Sequence, residues 1–163
     1  VPQKSFLFSG TVEEFIKYGV EMGCEEQVNH ALKTAQASFV EKLEGGLNYP
    51  ISQGGKNVSG GQRQRLAIAR AIVKKPEIFV FDDSFSALDY KTDKALRKAL
   101  KKETAGATSL IVAQRIGTIM DANKIIVLDK GEMVGIGTHK ELMENCKIYQ
   151  EIAYSQLSKE ELA

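Results

Sequence analysis

The chain has 163 residues, and its 22 basic and 21 acidic side chains give a formal net charge of +1 at pH 7. This balance gives no electrostatic case for a nucleic-acid partner or for binding to an acidic membrane surface. No apolar run approaches the roughly 18 residues that are needed to span a bilayer. The length instead predicts one domain with a core of its own.

The cysteines and histidines predict neither a disulfide nor a transition-metal site. Cys24 and Cys146 lie far apart and outside any CxxC pattern, which is typical of free thiols in a reducing compartment. His30 and His139 have no partners at the spacing of metal ligands. The chemistry of the chain is therefore expected elsewhere.

The first part of the chain is predicted to be mostly helical, from about Thr11 to Ala71. Apolar residues such as Val28 and Leu32 recur at helical spacing, and pairs of glycines interrupt the pattern. Ser59 then predicts the N-cap of a helix that runs to about Val73.

Strands alternate with helices after residue 74. The continuous apolar run Ile78–Phe81 predicts a strand that is buried on both faces, and Ser109–Ala113 predicts a second buried strand. A helix is expected between them, over about Tyr90–Glu103. This alternation is typical of a parallel α/β sheet.

The last third of the chain predicts a strand pair and a final helix. Lys124–Leu128 and Glu132–Gly137 are predicted strands on either side of a turn, and Ile116–Met120 is a short helical turn. Thr138 begins a capping box that predicts the last helix.

The sequence Ser59-Gly60-Gly61-Gln62 has the properties of an anion site. Glycines let the backbone approach a ligand closely, and the first N–H groups of a helix lack helical partners and favour negative charge. Ser59 adds a hydroxyl donor. A plain helix cap is the alternative, but the continuation Gln-Arg-Gln-Arg-Leu-Ala, followed by a strand that ends in two acids, favours the anion site.

The two acids are Asp82 and Asp83, which follow the predicted strand directly. Carboxylate oxygens at the end of a buried strand can hold Mg²⁺ and polarise water. Asp82 could instead act only as a helix cap.

These motifs, in this order, resemble those of the nucleotide-binding domain of an ABC transporter of the exporter, multidrug-like type. The segments that carry the resemblance are the Q-loop region at Val1-Pro2-Gln3 and Phe6–Val12, the signature at 58–62, the Walker B strand ending in Asp82, the D-loop Ser86-Ala87-Leu88-Asp89, the switch-loop strand Ile111–Arg115, and the C-terminal segment Asp129–Leu142.

The resemblance implies an α/β fold, a RecA-like P-loop NTPase core with an inserted α-helical signature subdomain. Residues 1–163 would form a partial nucleotide-binding domain, with 10–73 as the helical subdomain and 74–163 as the C-terminal part of the core. The phosphate-binding Walker A pattern Gly-x-x-x-x-Gly-Lys-Ser/Thr does not occur in the sequence. We therefore interpret the chain as the C-terminal portion of a longer polypeptide.

The resemblance also implies ATP and Mg²⁺ as cofactors and assigns roles to named residues. Gln3 and Asp82 would contact Mg²⁺, and Asp83 and Gln114 would occupy the catalytic positions. The residues expected to contact nucleotide are Ser59, Gly60, Gly61, Gln62 and Asp89. Asp89 is also a predicted N-cap, and the two roles are compatible.

Both catalytic positions depart from the family pattern. The family has Glu where this chain has Asp83, whose carboxylate reaches roughly 1–1.5 Å less far, and a displacement of about 1 Å can cost on the order of 10²-fold in rate. The family has His where this chain has Gln114, which cannot take up a proton. A third departure, Ile51-Ser52-Gln53-Gly54-Gly55 in place of Val-Gly-Glu-Arg-Gly, lies where the family contacts its transmembrane domains.

The signature itself changes only its leading Leu, to Val58. In ABC dimers the signature of one subunit completes the ATP site of the other. The pattern predicts the degenerate-site subunit of a heterodimeric exporter at the cytoplasmic face of the plasma (inner) membrane. Its partners would be a second nucleotide-binding subunit and a transmembrane domain in the same full-length chain.

Two other classes of function fit parts of the pattern. One is a soluble ABC-type ATPase without transmembrane domains, acting in translation or DNA repair. The other is a non-catalytic dimerisation or regulatory module, which Asp83 and Gln114 would explain.

Overall fold

The computed structural model describes residues 1–20 and 24–157, which belong to two compact units, Val1–Val112 and Ala113–Ala163. Each unit has its own cluster of buried apolar side chains. The elements of the first unit are, in chain order, β1 (Gly10–Thr11), α1 (Val12–Lys17), α2 (Glu25–Thr34), β2 (Pro50–Ile51), α3 (Gly60–Val73), β3 (Ile78–Asp82), α4 (Tyr90–Glu103) and β4 (Thr108–Val112).

Helix α3 is the central element of the helical part. Its sequence is rich in strong helix formers such as alanine, arginine, glutamine and leucine. Leu66, Ile68 and Ala69 are completely buried, and Ile72 is nearly so. The predicted start at Ser59 and end near Val73 are both confirmed. Helices α1 and α2 pack against α3, so the N-terminus of α3 is held on a packed scaffold.

Strands β3 and β4 are parallel, as the alternation of strands and helices predicts, with Phe81 opposite Ile111. Phe79 and Phe81 point into the same buried cluster as Leu96 and Leu100 of α4. Helix α4 has the bounds predicted for it. The acids at the end of β3 are therefore carried by a strand with one firmly packed face.

The prediction that these two strands are buried on both faces is wrong for the described residues. Successive side chains of a strand point to opposite faces, so Ile78 and Val80 face away from the two phenylalanines and are 64% and 46% exposed. Leu110 and Val112 of β4 are exposed in the same way. No element within 1–20 and 24–112 covers this face.

The prediction of a mostly helical segment from about Thr11 to Ala71 is confirmed. This segment also contains a short antiparallel strand pair, β1 with β2, in which Gly10 lies opposite Ile51. Short stretches of 3-10 helix occur in its connections, at Ser38–Lys42, Gly46–Asn48 and Gln53–Gly55.

The second unit contains an antiparallel pair of strands and three helices among its described residues. They are α5 (Ile116–Ile119), β5 (Ile125–Asp129), β6 (Glu132–Gly137), α6 (His139–Asn145) and α7 (Lys147–Gln156). The predicted turn is confirmed, with Lys130 and Gly131 at φ values of 49° and 85°. The predicted pair of strands on either side of this turn is therefore confirmed, and the two strands are antiparallel.

The capping box at Thr138 is confirmed, but the helix that it begins is not the last one. Glu141 Oε2 accepts the Thr138 N–H at 2.7 Å, while the Thr138 hydroxyl accepts the Glu141 N–H at 3.3 Å. Helix α6 ends at Asn145, because Cys146 has φ and ψ values of −120° and 100°, which are not helical. Helix α7 begins at the next residue. Sequence periodicity does not detect a single extended residue between two helices.

Both cysteines are free, as predicted, with Cys24 exposed and Cys146 buried. Within the described part of the chain, every helix is too short or too polar to cross a membrane.

Two glycines with left-handed backbone conformations allow a controlled test of the loop before α3. Gly55 has a φ of 65°, and a Cβ there would lie 2.9 Å from Arg63 Cδ and 3.2 Å from Leu7 Cδ2. Gly46 has a φ of 56°, but a Cβ there would meet nothing within 4 Å. Backbone strain acts at both positions, and steric overlap acts only at Gly55.

We predict that Gly46→Ala lowers the free energy of unfolding by about 1 kcal/mol, the cost of placing a side chain in the left-handed region. Gly55→Ala should cost about 2–4 kcal/mol, because overpacking typically adds 1–3 kcal/mol. Urea denaturation of the two variants measures both values. Equal losses would show that Arg63 moves aside at no cost.

Candidate functional site

The first turn of α3 is closed by a reciprocal pair of side-chain hydrogen bonds. The Ser59 hydroxyl accepts the Gln62 N–H at 3.2 Å, and Gln62 Oε1 accepts the Ser59 N–H at 2.8 Å. Since the hydroxyl oxygen acts as an acceptor here, its hydrogen can still be donated. Ser59 can therefore cap the helix and also contact an anion, so the two interpretations of this residue are compatible.

The glycines of this turn have backbone N–H groups without helical partners. The first helical bond to Ser59 comes from the Arg63 N–H, at 2.9 Å, so Gly60 and Gly61 precede the point at which the helix satisfies its own donors. The first turn of α3 contains no acidic residue, and helix N-termini of this kind favour phosphate. The residues present fit a phosphate group.

Gln3 and the acids at the end of β3 form the second part of the candidate site. Gln3 Nε2 donates to Asp83 Oδ2 at 3.1 Å. Asp82 is the last residue of β3 and is exposed. Its N–H donates to the carbonyl of Val1 at 3.0 Å. The donor set of two carboxylates and one amide is rich in oxygen, which fits Mg²⁺.

The backbone of Asp83 is in the left-handed region, with a φ of 44°. Asp tolerates this region better than most residues, and such conformations often occur at functional sites. Hydrogen bonds on three sides hold it there. Its N–H donates to the Val112 carbonyl at 2.9 Å, its carbonyl accepts the Ser86 hydroxyl at 2.9 Å, and its carboxylate accepts the Gln3 amide.

Ser84, which sequence reasoning missed, fixes the loop after the acids. It is completely buried, and its hydroxyl lies 2.6 Å from the carbonyl of Val1 and 3.3 Å from that of Asp82. It therefore joins the segment before Gln3 to the end of β3. A small polar residue between two acids and an aromatic residue was the only signal in the sequence.

Asp89 caps α4, as predicted. Its Oδ1 accepts the Thr92 N–H at 3.0 Å. Hydrogen bonds from the Thr92 side chain, and then from the Thr92 backbone, hold the pKa of Asp89 below its ordinary value of 3.8. The side chain is exposed and charged at neutral pH, so it can also contact another molecule.

Gln114 belongs to the second unit and lies just before α5. It is exposed, and its carbonyl accepts Gln156 Nε2 at 2.9 Å, while Gln156 Oε1 accepts the Ile116 N–H at 2.8 Å. The end of α7 thus holds the backbone around Gln114 and leaves its side chain exposed.

The structure brings some predicted site residues together and not others. Gln3 contacts Asp83, and Ser59, Gly60, Gly61 and Gln62 share one helical turn. Among the described residues of the first unit, no hydrogen bond joins that turn to Asp82 or Asp83.

Comparison with known proteins shows the family. The profile of the ABC transporter family matches residues 1–86. An ABC transporter ATP-binding protein of Mycobacterium bovis is 47% identical over 96% of this chain and 27% of its own length. A Bacillus subtilis protein of the same description is 42% identical over 98% of the chain and 28% of its own length. The chain thus spans about a quarter of the length of these relatives.

A protein of Rickettsia conorii named as an export ATP-binding/permease protein is 38% identical over 97% of the chain and 28% of its own length. The structure of a bacterial Atm1-family ABC exporter with ATP bound superposes with a TM-score of 0.92 at 34% identity, covering 97% of this chain and 28% of that one. The α/β fold and the resemblance seen in the sequence are confirmed, and the chain belongs to the ABC transporter family, as part of an exporter-type ATP-binding domain.

Proposed function

We propose that this chain belongs to the degenerate-site subunit of a heterodimeric ABC exporter, in which Mg-ATP binding and hydrolysis drive export across a membrane. The observation that carries the proposal is an asymmetry within one domain. The signature turn of α3 has its cap, its glycines and its unpaired N–H groups, whereas Asp83 and Gln114 stand where the family has Glu and His.

Each residue has a role that its surroundings support. Ser59, Gly60 and Gly61 would donate to the γ-phosphate of an ATP held by the partner subunit, with Gln62 and Asp89 nearby. Asp82 and Gln3 would hold Mg²⁺ at this subunit's own site. When bound, Mg²⁺ neutralises charge on the phosphates.

Hydrolysis at the chain's own site would be slow for two reasons. Asp83 is one methylene shorter than Glu, and its carboxylate is already engaged by Gln3 at 3.1 Å. Gln114 can donate a hydrogen bond but cannot carry a proton. Asp83 would orient the attacking water less well than a glutamate does. Gln114 would stabilise the charge on the γ-phosphate less well than a charged histidine does.

The remaining parts of the proposal rest on the relatives. The name of the Rickettsia conorii protein includes a permease, which supports a transmembrane domain in the same full-length chain. A nucleotide-binding domain joined to such a region would lie at the cytoplasmic face of the plasma (inner) membrane. The subdomain division at residues 73 and 74 also remains a proposal.

We predict that Ser59→Arg in the complete transporter lowers total ATPase activity at least about tenfold, because a long cation would fill the space of the γ-phosphate and remove the hydroxyl donor. The measurement is the steady-state rate of phosphate release. Ser155→Arg, an exposed position on α7, is the matched control and should have normal activity. Normal turnover in Ser59→Arg would contradict the assignment of the signature to a working site.

We also predict that Asp83→Glu combined with Gln114→His raises hydrolysis at the chain's own site by about tenfold or more, because the added methylene restores reach and the imidazole restores a titratable contact. The φ of 44° at residue 83 suits Glu less well than Asp, so the gain should stay below the rate of the other site. Nucleotide trapping resolved by site measures it.

The complete absence of a gain in trapped ADP would show that these two positions do not limit the rate. A wild-type complex with no ATPase activity at all would instead favour the dimerisation or regulatory module. If the full reading frame encoded no membrane spans, the soluble ABC-type ATPase would be favoured.

A further inference from the structure

Gln64 is a polar side chain on the buried face of α3, and only 4% of its surface is exposed. It shares that face with Ala67 and Ile68, three and four residues later. Burial of an amide costs free energy unless its polar atoms find partners. Its position therefore requires hydrogen bonds from elsewhere in the fold.

Both ends of the amide have partners, and each partner comes from a different motif. Gln64 Nε2 donates to the carbonyl of Gln3 at 3.4 Å. Gln64 Oε1 accepts the N–H of Ala87, in the D-loop, at 3.3 Å. A carbonyl can only accept and an N–H can only donate, so the orientation of the amide is fixed by its surroundings.

These contacts complete a chain of hydrogen bonds across the first unit. The Gln3 side chain holds the Asp83 carboxylate at 3.1 Å, its carbonyl accepts from Gln64, and Gln64 holds Ala87. One buried amide on α3 thus joins the signature helix both to the segment of Gln3 and to the D-loop. The D-loop itself follows Asp83 closely in the chain and donates to its carbonyl through Ser86 Oγ at 2.9 Å. Gln3, Gln64 and Ala87 are far apart in the sequence.

The D-loop also packs directly on the signature turn. A Cβ on Gly61 would lie 3.2 Å from the carbonyl oxygen of Ala87 and 3.5 Å from Leu88 Cδ2. Ala87 is therefore held at its N–H by Gln64, and its carbonyl lies against the backbone of Gly61 with no room for a side chain between them. The first two turns of α3 and the D-loop thus share one hydrogen bond and one close backbone contact.

We propose that Gln64 is a positioning residue that couples the signature turn, the D-loop and the Gln3–Asp83 pair into one unit within this chain. This inference rests on the proposed function. The signature turn and the D-loop would then move toward the partner subunit together. The hydrogen bond between Gln3 and Asp83 would change with that movement. Gln64 touches neither nucleotide nor water in this account.

Two substitutions separate the contributions of shape and hydrogen bonding. Gln64→Met keeps the length of the side chain and removes both hydrogen bonds. Gln64→Glu keeps an acceptor for the Ala87 N–H, and it can bond to the Gln3 carbonyl only when the carboxyl is protonated, so the link to Gln3 becomes dependent on pH. Gln150→Met is the matched control, because Gln150 makes a single amide bond at 2.7 Å to the Met143 carbonyl on the second unit.

The first test is hydrogen exchange of the full-length protein without nucleotide. In Gln64→Met the Ala87 amide should exchange at least about tenfold faster, because its acceptor is lost. Exchange at Ala87 should change much less in Gln64→Glu and not at all in Gln150→Met. Unchanged exchange at Ala87 in Gln64→Met would overturn the link whether or not the complex hydrolyses ATP.

The second test is the kinetics of the complete transporter. Gln64→Met should lower kcat about tenfold with KM for ATP within about twofold, because misplacement affects the transition state more than ground-state binding. In a Gln3→Ala background the further loss should shrink by at least about twofold, since residues of one network are not additive. Losses that multiply independently would overturn the chain of contacts, whereas a wild-type complex without ATPase activity would count against the proposed function and leave the exchange result to decide.

Discussion

The backbone N–H groups at the start of α3 determine what the candidate site can bind. A helix must begin with N–H groups that it cannot satisfy itself. Here the Gln62 side chain accepts the Ser59 N–H, and the Ser59 hydroxyl accepts the Gln62 N–H. Gly60 and Gly61 lie between them and have no side chains that would cover their own N–H groups. The turn is therefore stable without a ligand and still able to bind one.

The position of that turn is fixed by packing rather than by the turn itself. The apolar stripe of α3 lies in the main buried cluster with α1, α2 and the phenylalanines of β3. Arg65 joins the N-terminal half of α3 to the segment that follows α2. Its guanidinium donates to the Gln36 carbonyl at 2.7 Å and lies over the ring of Phe39. Burial lowers the pKa of this guanidinium from its ordinary value, and an arginine side chain stays charged in proteins. The same buried core thus supports the first turn of α3 and the two acids at the end of β3.

Local signals predicted much of this arrangement. The caps at Ser59, Asp89 and Thr138 depend on side chains and N–H groups three residues apart, so the sequence contains the whole interaction. The exposed faces of β3 and β4 could not be predicted in this way, because a continuous apolar run does not say which neighbours are present. Gln64 and Ser84 were missed for a related reason, since their partners lie far away in the sequence. A polar residue on an otherwise apolar helical face was the signal for Gln64.

In the proposed heterodimer, an intact signature beside altered catalytic positions predicts different nucleotides at the two ATP sites. The measurement is the nucleotide content of both sites in the complete wild-type exporter during turnover with Mg-ATP. The site that Ser59 completes should contain mainly ADP, and the site that contains Asp83 should retain mainly ATP. Equal fractions of ADP at the two sites would rule out the proposed asymmetry.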